Sequence, residues 1–185
     1  MPNGKTRRHA LASPIELKPL AKKGELLRVV IETPKGSRNK YAFNPDERVF
    51  ELKRVLPAGM EFPYDFGFLP RTKGGDGDPV DVLVLMDEPA FTGCVVKCRL
   101  IGVILGEQQE QDGTRERNDR LLAVEDGNHV YAHVKHISDL PKILLKELEE
   151  FFVNYHCLQG SKYKLLGCKG PEVGHKLIAK SMRAA

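Results

Sequence analysis

The hydrophobic pattern of this chain changes period near residue 135, and that switch limits the architectures open to it. Before it, the apolar residues come in short runs separated by turn-forming residues: "LLRVVIET" (26–33), "RVFELKR" (48–54), "VDVLVLM" (80–86), "GCVVKCRLIGVIL" (93–105), "RLLAVE" (120–125) and "HVYAHV" (129–134). The run at 48–54 alternates Val49, Glu51 and Lys53 against Phe50, Leu52 and Arg54, the period of two of a half-buried strand. "KYAF", after the turn "KGSRN", reads as a further extended stretch. After the switch, Leu140, Leu144, Leu148, Phe151, Phe152 and Tyr155 recur at helical spacing. Ser138 or Asp139 can cap that helix and Pro141 suits its first turn. A second, shorter helix follows over 171–183. Many short strands followed by helices predict an α+β, mainly β chain: a small barrel with two helices packed outside.

The 185 residues suit one domain and can bury a core without disulfides. No apolar run approaches the roughly 20 residues that span a bilayer, and no hydrophobic signal segment opens the chain, so a cytoplasmic protein without membrane contact is expected. The net charge of +4 is unevenly spread: residues 1–24 carry +5 and the rest carries −1. Residues 1–24 therefore read as a basic, flexible arm, and 25–185 as the folded domain. A nearly neutral body argues against a nucleic-acid partner. The four cysteines, Cys94, Cys98, Cys157 and Cys168, lack zinc-ligand spacing and read as reduced, buried thiols.

Between the strands lies "PAGMEFPYDFGFLPRTKGGDGDP" (57–79), read as one long structured loop. It ends in "DGDPVD", which sets Asp76, Asp78 and Asp81 within six positions. Carboxylates this close raise one another's pKa unless a cation neutralises them. An EF-hand does not fit, because its fifth, sixth and twelfth positions would be Val80, Asp81 and Asp87. Magnesium held by carboxylates together with substrate phosphates fits better. A DxD string also occurs in nucleotide-sugar transferases, and a solvated acidic turn needs no metal. Two further charges sit on apolar strand faces: Glu32 shares parity with Val30, and Arg54 with Phe50 and Leu52. Half-buried charges need partners. Lys40, Arg71, Lys73, Arg120 and Lys162 are other cations scattered on strands and loops, each by itself more often a surface charge than a ligand.

Taken together, "DGDPVDVLV", Glu32 in "VVIETP", Lys40, Arg54, the "FPYDFGF" loop and Tyr155 in "FFVNY" resemble the soluble inorganic pyrophosphatases of the family I type. The resemblance covers about residues 26–165. It implies a five-stranded OB-like β-barrel, Mg²⁺ as cofactor, pyrophosphate as substrate and a homo-oligomer, a hexamer in many bacterial members. Carried over by position, Asp76, Asp78, Asp81 and Glu32 match metal ligands, and Asp78 matches the carboxylate that accepts a proton from the attacking water. Lys40, Arg54, Tyr155 and Lys162 match phosphate-binding positions. Arg120 stands where the family has a lysine.

Other positions depart from the pattern. Ala42 replaces a glutamate, Phe62 and Phe66 replace tyrosines, and His156 replaces a lysine. Asn118 stands where a metal-binding aspartate is usual, and the loop 107–119 is longer, with Glu110 or Asp112 as candidate carboxylates. Strand alternation puts Asn118 and Arg120 on one face and Asp119 on the other. A β-bulge near 118–120 is expected to turn Asp119 inward as a metal ligand. The alternatives to a pyrophosphatase are the same fold acting weakly or on another small phosphate compound, and a non-catalytic OB-type binding module.

Overall fold

In the computed structural model, which describes residues 13–21 and 25–185, the strands are β1 (Leu27–Thr33), β2 (Asn39–Asn44), β3 (Val49–Val55), β4 (Asp65–Phe68), β5 (Asp81–Leu85), β6 (Val95–Gln109), β7 (Arg115–Arg117), β8 (Arg120–Glu125) and β9 (Lys162–Lys169). The helices are α1 (Lys142–Cys157) and α2 (Pro171–Ala184). Strands pair in the order β1, β4, β5, β8, β6, and β6 pairs back onto β1. Those five close a barrel, as expected. β7 and β9 extend the long β6 beyond it, and β2 and β3 form a separate hairpin.

The barrel wall is buried on both faces, which explains its nearly continuous apolar runs. Val82 and Val84 of β5 join Val29, Ile31, Val103, Leu121 and Ala123 in one core, closed by Ile178 of α2. The alternate residues Leu83 and Leu85 join Ile101, Leu122 and Val124 in a second core, under Leu148 and Phe152 of α1. Burying one leucine-sized side chain contributes about 2 kcal/mol, so a wall used twice stabilises strongly for its length. At Gly67 a Cβ would collide with the Val30 carbonyl. Only glycine lets β4 close onto β1 there.

Several elements differ from the sequence expectation. Residues 129–134 are turns rather than a strand. The Asp87 carboxylate accepts from the His129 and Val130 amides, and Asn128 Oδ1 accepts from the Tyr131 amide at 2.6 Å. Side chains thus take the donors a ladder would need. The stretch 57–79 is not all loop, because β4 lies inside it, paired on both edges. β9 has no clear alternation and exists through its pairing with the outer half of β6. α1 begins one residue after Pro141, which is its N-cap, while Ser138 belongs to a short 3-10 turn.

Part of the stretch read as an arm packs on the barrel. Ser13 is buried, Leu20 bridges to Leu27, and Glu16 meets Arg48 and, through its carbonyl, Arg71. Residues 1–12 and 22–24, which hold most of its basic side chains, lie outside the described residues. The cysteines are free as expected, but only Cys98 is buried: Cys94 and Cys168 are half-buried and Cys157 is exposed. Among the described residues no helix is long and apolar enough to cross a membrane.

Candidate active site

The acidic segment is shaped by its own backbone before it meets anything else. The Gly74 amide donates to the Asp78 carbonyl at 2.6 Å, and the Asp78 amide donates to Asp76 Oδ1 at 3.2 Å. Gly77, at φ +92°, supplies the left-handed residue this tight turn requires. Thr72 Oγ1 accepts from the Val80 amide at 2.9 Å and locks the turn to the start of β5. Asp81 is the first residue of β5, on the parity of Leu83 and Leu85, so it emerges on the α1 side of the wall.

The neighbouring strand answers with a cation. β5 and β8 run parallel, with Asp81 opposite Arg120. Arg120 Nε lies 3.6 Å from Asp81 Oδ2, and the arginine is only 3% exposed. Its guanidinium sits over the Phe152 ring at 4.1 Å and the Tyr163 ring at 4.8 Å. Opposite, Glu32 is 8% exposed; one oxygen accepts from the Phe43 amide at 2.8 Å and the other lies 3.5 Å from Lys40 Nζ. That lysine rests 4.0 Å above the Phe66 ring, so the phenylalanine that replaces a tyrosine serves as a cation–π shelf. Tyr155 packs against Phe62 and Phe151, and burial raises its phenol pKa.

Glu32, Lys40, Asp76, Asp78, Asp81, Arg120 and Tyr155 all line one cavity of about 600 Å³. Burial, then repulsion from Asp81, pushes Asp76 up to about 6. Burial also pushes Asp81 to about 6, although Arg120 and Lys40 pull it down. A site that raises its own carboxylates in this way favours a bound cation.

The family profile for inorganic pyrophosphatase matches residues 29–185. The chain belongs to the inorganic pyrophosphatase family. It is 38% identical to an inorganic pyrophosphatase of Nostoc sp. over 166 residues, covering 90% of this chain and 95% of that one. It is 37% identical to that of Geobacillus stearothermophilus, covering 86% and 93%. The crystal structure of inorganic pyrophosphatase from Thermus thermophilus superposes with a TM-score of 0.85 at 32% identity, covering 94% of this chain and 98% of that chain.

Within this member of the inorganic pyrophosphatases, three sequence-predicted residues stand outside the cavity. Arg54 is exposed, contrary to the half-buried setting its alternation suggested. Lys40 pairs with Arg54, so Arg54 keeps the lysine's side of the hairpin although it falls outside the lining, whereas Tyr41 pairs with Leu52, so Lys53 is the extra residue of a bulge. Lys53, not Arg54, is the β3 cation that lines the cavity. Lys162, the first residue of β9, is exposed and also outside the lining.

Asp119 is the third. The expected bulge near 118–120 is absent, because Ile104 pairs with Arg120 and Glu107 with Arg117, two residues between them on each strand. Asn118 therefore shares the cavity with Arg120, while Asp119 faces a second cavity on the α2 side. There it accepts from Arg117 Nη2 at 2.6 Å and from the Gly106 amide at 3.0 Å. The irregularity of β6 against β8 lies instead between Leu100 and Gly102. Glu110 and Asp112 are likewise outside the first cavity, in the turn between β6 and β7.

Residues the sequence reading did not place include Lys53, Gln108 and Gln159, all lining the cavity. Two adjacent cations, Lys53 and Arg54, were the only signal of the bulge. Asp65, in the aromatic loop, is buried with both oxygens occupied by the Lys35 and Ala90 amides at 2.7 and 2.9 Å. It latches loops together and does not line the cavity. Among the described residues no three carboxylate, imidazole or thiol groups converge tightly enough to hold a metal ion alone. The carboxylates present suit an ion whose shell is completed by water and phosphate oxygens, the habit of magnesium.

Proposed function

We propose that this chain hydrolyses inorganic pyrophosphate to two orthophosphates with Mg²⁺ as cofactor. One observation carries the reading: a wall of Asp76, Asp78, Asp81 and Glu32 shares a single cavity with Lys40, Lys53 and Arg120. Pyrophosphate and its metal need both signs of charge at close quarters. Family membership supports the same substrate.

Asp76, Asp81 and Glu32 hold the metal in this reading, and the raised pKa values of Asp76 and Asp81 fall once a cation is present. Bound Mg²⁺ supplies Lewis-acid polarisation and a water of lowered pKa. Asp78 takes the proton from the attacking water. Lys40, Lys53 and Arg120 balance negative charge on the phosphoryl oxygens, and the Tyr155 hydroxyl, kept protonated by burial, donates to a phosphate oxygen. Arg54 and Lys162, outside the cavity here, serve as peripheral charges that draw the anion in. Homo-oligomer formation and a cytoplasmic location belong to this reading only as what the family resemblance implies.

The test is phosphate release from pyrophosphate with and without Mg²⁺, against ATP and p-nitrophenyl phosphate as competitors. Metal-dependent turnover with strong preference for pyrophosphate supports the reading. Turnover unaffected by a chelator, or preference for another phosphate compound, overturns it.

A further inference from the structure

The Arg120 guanidinium is held by more than its aromatic shelf. Stacking on Phe152 and Tyr163 fixes the plane of the group but not its rotation within that plane. Rotation is set by hydrogen bonds. Nη2 meets His156 Nε2 at 3.0 Å, and Nη1 donates to the Asn118 carbonyl at 3.3 Å. Nε has no hydrogen-bond partner and points along the Asp81 edge, 3.6 Å from Oδ2. Each Nη thus spends one of its two N–H groups on the protein, and the Nε–H beside Asp81 is left without a hydrogen-bond partner.

We propose that His156 is a positioning residue: a neutral imidazole whose Nε2 accepts from Arg120 and thereby aims the guanidinium at Asp81 and the substrate phosphate. The inference rests on the pyrophosphatase reading for its kinetic consequence, but not for its geometry. An arginine side chain can only donate, so Nε2 must carry the lone pair and the proton must sit on Nδ1. Nδ1 has its own partner, Ser161 Oγ at 3.3 Å, and that hydroxyl lies 3.3 Å from the His156 carbonyl. The ring is stacked on Tyr163 at 4.9 Å with an 11° interplanar angle, and meets Tyr155 edge-on at 5.4 Å. It is 3% exposed. Burial, then the Arg120 and Arg54 charges, pushes its pKa to about 3, so it stays an acceptor at neutral pH.

The same geometry says why a lysine, the residue usual in the family at 156, cannot stand opposite Arg120. An ammonium at position 156 has three donors and no acceptor, and would face the guanidinium at hydrogen-bond distance as a second buried charge. Arg120 and His156 form one unit that supplies a single positive charge with a fixed heading.

The experiment combines kinetics with a measurement that ignores activity. His156→Leu should lower kcat/KM for pyrophosphate about tenfold, on the scale of one charge-assisted hydrogen bond. His156→Gln, whose amide oxygen can still accept, should stay within about threefold of the parent. In an Arg120→Lys background, His156→Leu should cost less than about twofold, because the group it aims is gone. Full additivity, or equal damage from Leu and Gln, overturns the proposal, since a merely structural histidine would behave so. Imidazole ¹⁵N shifts of the parent test the tautomer directly: the proton on Nδ1 is expected, and a proton on Nε2 overturns the proposal even if a variant fails to fold. A parent that does not hydrolyse pyrophosphate would sink the functional reading while leaving the tautomer result to stand.

Discussion

The two walls of the cavity are built in opposite ways. The acidic wall comes largely from one contiguous segment, Asp76 to Asp81, whose turn is closed by its own backbone and by Thr72. The cationic wall is assembled from Lys40 on β2, Lys53 on β3 and Arg120 on β8, each aimed by a neighbour: Phe66, a β-bulge and His156. A wall made locally survives changes elsewhere, because little beyond it sets its geometry. A wall made by convergence depends on registers and shelves many residues away. The largest effects are therefore expected from chemistry lost on the acidic side, and the most informative ones from re-aiming on the cationic side.

Asp78→Asn should cost the most. It keeps the shape of the side chain but removes the proton acceptor and one negative charge, for a loss of kcat of at least about 10²-fold. The turn should persist, since it is the Asp78 backbone and not its carboxylate that closes it. Steady-state turnover with a circular dichroism check separates the two. Near-normal kcat would remove Asp78 from the mechanism.

On the cationic side, Lys53→Ala should raise KM for pyrophosphate about tenfold, the scale of one charge-assisted contact to a phosphate oxygen. Arg54→Ala should raise it by less than about threefold, because Arg54 lies outside the cavity and acts only through its field. The ion pair of Lys53 with Glu51, at 2.9 Å, is surface-exposed and screened, so losing it costs little by itself. The reverse order of effects would mean that the bulge at Lys53 does not persist when substrate binds.

This contrast also explains what the sequence could reveal. The acidic cluster, Glu32, Lys40 and Tyr155 were legible because they sit in short strings or on regular alternation. The barrel was legible from many short strands followed by helices, and its five strands from the family resemblance. Lys53 was not, because a one-residue bulge swaps which face a side chain takes, and alternation carries no sign of it. β4 and β9 were hidden for a related reason: both are strands by pairing rather than by pattern, and pairing is a tertiary fact. The turn at 129–134 was misread because Asp87, more than 40 residues away, takes its backbone donors.

The boundary between the two cavities gives the smallest expected effect and the finest test. β7 and β8 run in one register against β6, so Asn118 faces the carboxylate wall and Asp119 faces α2. Asn118 Nδ2 donates to Gln108 Oε1 at 2.7 Å, which leaves the side-chain oxygen as the atom free for the cavity. That oxygen is neutral, so the wall lacks a charge that an aspartate at 118 would bring. Asn118→Asp should lower the Mg²⁺ concentration for half-maximal activity several-fold, because a carboxylate attracts a divalent cation more strongly than an amide oxygen does. Asp119→Asn should leave that concentration unchanged. It weakens the pairing with Arg117 and the bond from the Gly106 amide, so it should appear instead as a lower Tm, on the scale of about 1 kcal/mol. Magnesium titrations of activity and thermal melts on the two variants separate the roles. If Asp119→Asn is the change that raises the Mg²⁺ requirement and Asn118→Asp is silent, the strand shifts register by one residue around the bound metal, and the two cavities exchange their carboxylates.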